Sequence, residues 1–135
     1  MVRVVVDTNV LISAVLGRGK PRTLVLDLFE GHVIVSSAEM LVEFTDVIER
    51  QKFRHIRRSH IQGLLTLLIN YSNVVKPLES FYGTIPEDPD DDIVLSVAFA
   101  GKAEYIVTGD PHLLRLGEFK RIKIIRVSDM LNQIR

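Results

Sequence analysis

The sequence contains no cysteine. Disulfides, zinc–thiolate sites and thiol nucleophiles are therefore excluded. No apolar stretch approaches the roughly 20 residues that a helix needs to span a bilayer. The first residues carry a single arginine and run straight into a strand-like segment. They leave no place for the charged region, long apolar core and cleavage site of a secretory signal. The expectation is a cytoplasmic protein with no membrane segment. Net charge is also absent, with 17 basic residues against 17 acidic ones, so bulk attraction to nucleic acid is not built in. The four histidines, His32, His55, His60 and His112, show no metal-ligand spacing. No Ser-His-Asp set can be argued from their order.

The 135 residues are 47% hydrophobic and 25% charged, which suits one soluble domain covering 1–135. A chain of this length buries about two thirds of its unfolded surface and needs no disulfide or structural metal to fold. Its charge is uneven. Arg50, Lys52, Arg54, Arg57 and Arg58 form a basic segment, and Glu79, Glu87, Asp88, Asp90, Asp91 and Asp92 an acidic one.

Residues 2–6 are valine except Arg3, the pattern of a central strand covered on both faces. Thr8 to Leu16 follows as a helix, with Val10, Leu11, Ala14 and Val15 at helical spacing. Gly17-Arg18-Gly19-Lys20 reads as a turn. A phosphate loop needs Ser or Thr where Pro21 stands and glycine where Ala14 stands. Pro21 suits the first turn of the next helix. His32–Val35 is a second strand. Ser36–Glu39 and Ser59–Gln62 each have the form of a capping box opening a helix. Residues 73–77 form a weaker strand stopped by Pro77, and 78–90 read as a loop. A buried helix runs from Asp91 or Asp92 to Ala100. A strand over 104–108, a short helix from Asp110-Pro111, a strand over 122–127 and a helix capped by Ser128 complete the chain. This alternation predicts an α/β fold, three-layer α/β/α with a mainly parallel central sheet and the first strand central. Ligands of such sheets bind beyond the carboxyl ends of the strands, where Asp7 and Asp110 fall.

Asp7, Asp91 or Asp92, and Asp110 can each be read as a helix N-cap. Three consecutive aspartates at 90–92 exceed what one cap uses. Glu43 is different, lying mid-helix beside the core stripe of Met40 and Val47. Gathered at one sheet edge, like charges about 4 Å apart repel by roughly 4 kcal/mol per pair at an effective dielectric of 20. Such a cluster takes up protons or a cation. All-oxygen ligands suit Mg²⁺ or Mn²⁺, and metals so held serve phosphodiester hydrolysis.

The motifs Val5-Val6-Asp7-Thr8-Asn9, Glu43 after the second strand, Asp90-Asp91-Asp92 before a helix continuing to Ala98, and Val107-Thr108-Gly109-Asp110 resemble those of PIN-domain ribonucleases. The likeness runs through essentially the whole chain in order, and is greatest to the toxin branch of toxin–antitoxin pairs. It implies Mg²⁺ or Mn²⁺, hydrolysis of single-stranded RNA, a cognate antitoxin protein and, as is frequent in that branch, a homodimer. Carried over by position, it implies that Asp7, Glu43, Asp91 and Asp110 are the acidic quartet. Thr8 and Thr108 then serve as supporting hydroxyls. Asp91 keeps the family spacing to Ala98, with Asp92 or Asp90 as substitutes. Lys52, Arg54, Arg57 and Arg58 are the candidate RNA-backbone contacts. Two other readings stand beside this one. A catalytically silent PIN-like module would bind RNA or protein without cutting. A phosphatase using Asp7 as nucleophile is disfavoured by Asn9, where the haloacid-dehalogenase pattern needs a second aspartate.

Overall fold

Val4, Val5 and Val6 are essentially removed from solvent, and each such burial stabilises by about 1.5–3 kcal/mol. They form β1 (Arg3–Val6). Side chains alternate along a strand, so Val4 and Val6 join one hydrophobic core and Val5 the other. A strand apolar on both faces belongs between two covering layers. The computed structural model describes residues 1–50, 57–78 and 89–135, with 89–91 given by backbone alone.

The other strands are β2 (Val33–Ser36), β3 (Asn73–Val74), β4 (Tyr105–Val107), β5 (Glu118–Phe119) and β6 (Ile122–Ile125). They form one six-stranded sheet in the order β3-β2-β1-β4-β6-β5. Every pairing is parallel except β5 with β6. The first strand is central, as the sequence predicts. The first core packs one face with α1 (Thr8–Leu16), α2 (Lys20–Gly31), α3 (Ala38–Ile48), α4 (Arg58–Tyr71) and α7 (Val127–Ile134). The second face is covered by α5 (Pro89–Ala100) and α6 (Pro111–Leu116). The result is the three-layer α/β/α arrangement.

Several local expectations are corrected. Ser37, not Ser36, caps α3, accepting a hydrogen bond from the Met40 amide at 3.2 Å. Ser36 is the last residue of β2, because its buried backbone continues the ladder. Ser59 caps nothing; α4 already starts at Arg58 and has no side-chain cap. Helix α7 begins at Val127, so Ser128 lies inside it. The short strand β5 was not foreseen. The expected loop at 78–90 lies outside the described residues apart from Leu78 and the first residues of α5.

Three non-glycine residues have positive φ among the described residues: Lys102 at 52°, Lys120 at 48° and Arg121 at 70°. Such a backbone costs an ordinary residue about 1–2 kcal/mol. Lys102 ends α5. Its amide donates to the Phe99 carbonyl at 3.2 Å, and the Ala103 amide donates to Ala98 at 2.9 Å. That is the helix-terminating pattern in which glycine normally takes the left-handed position. Gly101, one residue earlier, is needed for close approach, since a Cβ there would overlap Val35 Cγ1. Lys120 and Arg121 form the two-residue connection of the β5–β6 hairpin, with positive φ at both. Asn-Gly is the usual choice for such a connection.

Candidate active site

Asp7 occupies the N-cap position of α1, but its side chain makes no capping hydrogen bond. Its carbonyl does that work, accepting from the amides of Val10 at 2.9 Å and Leu11 at 3.2 Å. The carboxylate turns instead toward β4, where the Thr108 hydroxyl donates to Oδ2 at 2.6 Å. Strand pairing brings the two together. Val6 and Val107 are register partners, and the Asp7 amide extends the ladder to the Val107 carbonyl at 3.0 Å. Asp7 is 8% exposed and Thr108 fully buried. A carboxylate is not held in such a place without partners.

The next position, Thr8, donates from Oγ1 to Glu43 Oε2 at 3.3 Å. Glu43 is half-buried on α3. Thr8 and Thr108 thus each join an acid to a neighbouring element. Thr108 Oγ1 also accepts the Asp110 amide at 3.0 Å. Asp110 does act as a cap: its Oδ1 accepts the His112 amide at 2.7 Å at the start of α6. His112 Nδ1 stands 3.7 Å from the same oxygen, at the rim of the group. Asp92 is 4% exposed on α5, and its backbone carbonyl accepts from Ser96 Oγ at 2.9 Å. The side chain of Asp91 lies outside the described residues, as do Lys52 and Arg54.

The structure therefore links Asp7 to Thr108 and to the Asp110 backbone, and links Glu43 to Thr8. Among the described residues, no three His, Asp or Glu side chains gather closely enough to hold a metal ion. The donor chemistry fits a hard divalent cation, being carboxylate and hydroxyl oxygen at a rigid strand end. Asp7, Glu43, Asp92 and Asp110 are the described residues whose oxygens would suit such an ion.

Arg57 and Arg58 are exposed and stand elsewhere. Ser59 and His60, which follow them, line a cavity of about 270 Å³ with Ala14 and Val15 of the last turns of α1. Asp7 heads the opposite end of that helix. Two cations outside the basic segment share a wall with the hydroxyl that holds Asp7. Lys20 and Arg126 line a cleft of about 400 Å³ with Asn9, Ser13, Thr108 and Ser128. Thr108 thus belongs both to the cleft wall and to the Asp7 hydrogen bond. Arg126 directly follows the last residue of β6. The rule placing ligands beyond the carboxyl ends of strands could have singled it out. Lys20 belongs to the turn whose sequence fails as a phosphate loop.

Comparison with known proteins gives this chain a family. A family model described as PIN domain matches residues 3–112. The uncharacterized protein MJ1680 of Methanocaldococcus jannaschii is 33% identical over 128 residues, covering 91% of this chain and 81% of that protein. The chain belongs to the PIN-domain family. PIN domains are generally nucleases that use divalent metals. Among the described residues, no helix is long and apolar enough to cross a membrane.

Proposed function

We propose that this chain is a metal-dependent endoribonuclease of single-stranded RNA, with Asp7, Glu43, Asp91 and Asp110 as its acidic ligands. The observation that carries the reading is the Asp7 carboxylate. It sits at a helix N-cap without capping and is held at 2.6 Å by a buried hydroxyl from the neighbouring strand. A side chain withheld from its local role and fixed by another element is positioned for a ligand, and metal chemistry depends on such positioning. Mg²⁺ or Mn²⁺ bound there would lower the pKa of water and stabilise charge on the phosphate and leaving oxygen.

The adjoining cleft supplies the second requirement. Lys20 and Arg126 neutralise backbone phosphates beside the acids, while Asn9, Ser13 and Ser128 offer hydrogen bonds to phosphate and ribose. Such contacts hold a strand without reading its sequence. The likeness of the acidic motifs to the toxin branch supports the further proposal that the chain is the toxin of a toxin–antitoxin pair, held inactive by a cognate antitoxin. The test is cleavage of labelled single-stranded RNA with Mn²⁺, Mg²⁺ or a chelator, for the parent and for Asp7→Asn. Metal-dependent cleavage lost in the variant is expected, together with growth arrest on expression of the parent alone. Binding of the RNA without cutting under any metal would leave a silent module.

A further inference from the structure

Among the described residues, the non-glycine positions with left-handed backbone converge. Lys102, Lys120 and Arg121 all line one cavity of about 470 Å³, and Lys123 joins them. The cavity lies at the amino ends of β4 and β6, where Tyr105 and Lys123 are register partners. Asp7 and Thr108 are at the other end of the same sheet. Two separate segments, the end of α5 and the β5–β6 turn, each place a long cation where glycine or asparagine is the usual residue. Strained positions cluster where surrounding structure and function hold them. Here the strain is common to three of the four cations in one wall, Lys123 having ordinary strand backbone. Glu104 is the carboxylate in that wall, and its Oε1 accepts the Arg3 amide at 3.3 Å. The lining thus sets Lys102, Lys120, Arg121 and Lys123 against Glu104.

The cavity also has aromatic character. Lys120 Nζ lies 5.9 Å from the ring centre of Phe99 and 5.7 Å from that of Phe119. Phe99 and Tyr105 line the cavity, with Ala98, Ala103 and Ile122 as apolar floor. Cations beside aromatic and apolar surface suit a nucleotide, whose phosphate and base need both. An acidic peptide would use the charge and leave the aromatic and apolar lining uncontacted. We propose that this cavity is a nucleotide-binding site, remote from the acidic edge, that holds a phosphate with Lys102, Lys120 and Arg121 and a base against its aromatic wall. The choice of nucleotide rests on the nuclease reading; the cavity and its charge do not.

The phosphate could belong to a free mononucleotide or to a single-stranded RNA chain. Calorimetric titration of the full chain carrying Asp7→Asn, with chelator present, removes cleavage from the measurement. Adenosine 5′-monophosphate should bind, and adenosine should bind at least tenfold more weakly. A short 5′-phosphorylated RNA binding tenfold tighter than the mononucleotide assigns the site to RNA. Equal affinity assigns it to the free nucleotide, and either result supports the site. In the same background, the triple replacement Lys102→Gly, Lys120→Asn and Arg121→Gly should weaken binding at least tenfold while melting at an equal or higher temperature, because it relieves strain. Lys123→Gln, on ordinary strand backbone, should weaken binding severalfold with unchanged melting. Undiminished binding by the triple variant, or displacement of the nucleotide by polyglutamate at equal concentration, would overturn the proposal. Failure of the parent to cleave RNA would sink the nuclease reading and leave the titration standing.

Discussion

The Thr108 hydroxyl, fully buried, donates to Asp7 Oδ2 at 2.6 Å across 101 positions of sequence. Thr108 Oγ1 in turn accepts the Asp110 amide at 3.0 Å. One side chain thus fixes an acid at the end of β1 and the backbone of an acid after β4.

Replacing Thr108 by valine keeps the shape and removes both hydrogen bonds. Losing a hydrogen bond to a charged group costs about 1.5–3 kcal/mol, so melting temperature should fall clearly. Thr108→Ser keeps the hydroxyl and should recover most of the activity, though it loses a buried methyl. Cleavage by the valine variant should drop at least tenfold and partly recover at high Mn²⁺, since the ligand is loosened rather than removed. If valine and serine variants cleave equally well, the hydroxyl has no part in placing Asp7.

The 90–92 aspartates divide by stability. Asp92 is 4% exposed on α5, so Asp92→Asn disturbs a buried group and should change melting even without metal. Asp91→Asn should leave metal-free melting near the parent value and abolish the Mn²⁺-induced rise. Thermal scans of both variants, with and without Mn²⁺, decide the assignment. The reverse pattern moves the ligand from Asp91 to Asp92.

Much of the frame was legible because its signals are local. The valine run before Asp7 announces a central strand, and the periodicity of Thr8 to Leu16 announces the helix after it. The β5–β6 hairpin was not legible, because its turn uses Lys120 and Arg121 where propensity asks for Asn-Gly. Ser59 misled for the opposite reason. It has the sequence of a capping box, but the preceding turn of α4 is already wound from Arg58. At the site, residue types could be read but their relations could not. Nothing local says that Asp7 leaves its cap for Thr108 while Asp110 keeps its own. Nor does anything local say that Lys20 at the start of α2 and Arg126 after β6 line one cleft.

The basic residues can be ranked by salt. Each phosphate contact to a single strand contributes about 0.7 to the slope of log affinity against log salt. Binding should be followed in a non-cleaving Asp7→Asn background. Lys20→Gln with Arg126→Gln should flatten the slope by about 1.4 if both contact phosphates. Arg57→Gln with Arg58→Gln, at the far end of α1, should flatten it less. A larger effect from the second pair would return the RNA path to the basic segment at 50–58.

Asp7→Asn separates charge from shape. Asparagine Oδ1 can still accept from the Thr108 hydroxyl, so the 2.6 Å contact has a substitute. The change removes one negative charge from an acidic edge, which relieves repulsion when no metal is bound. The metal-free variant should therefore melt at the parent temperature or above it. With Mn²⁺ present the order should reverse, because a ligand that binds only the folded state stabilises by its affinity and concentration. The parent should gain more than the variant. RNA cleavage should fall by orders of magnitude while the fold persists. A variant that cleaves normally removes Asp7 from the site. One that is inactive and melts well below the parent without metal makes Asp7 a structural residue, and the charge-cluster argument fails with it.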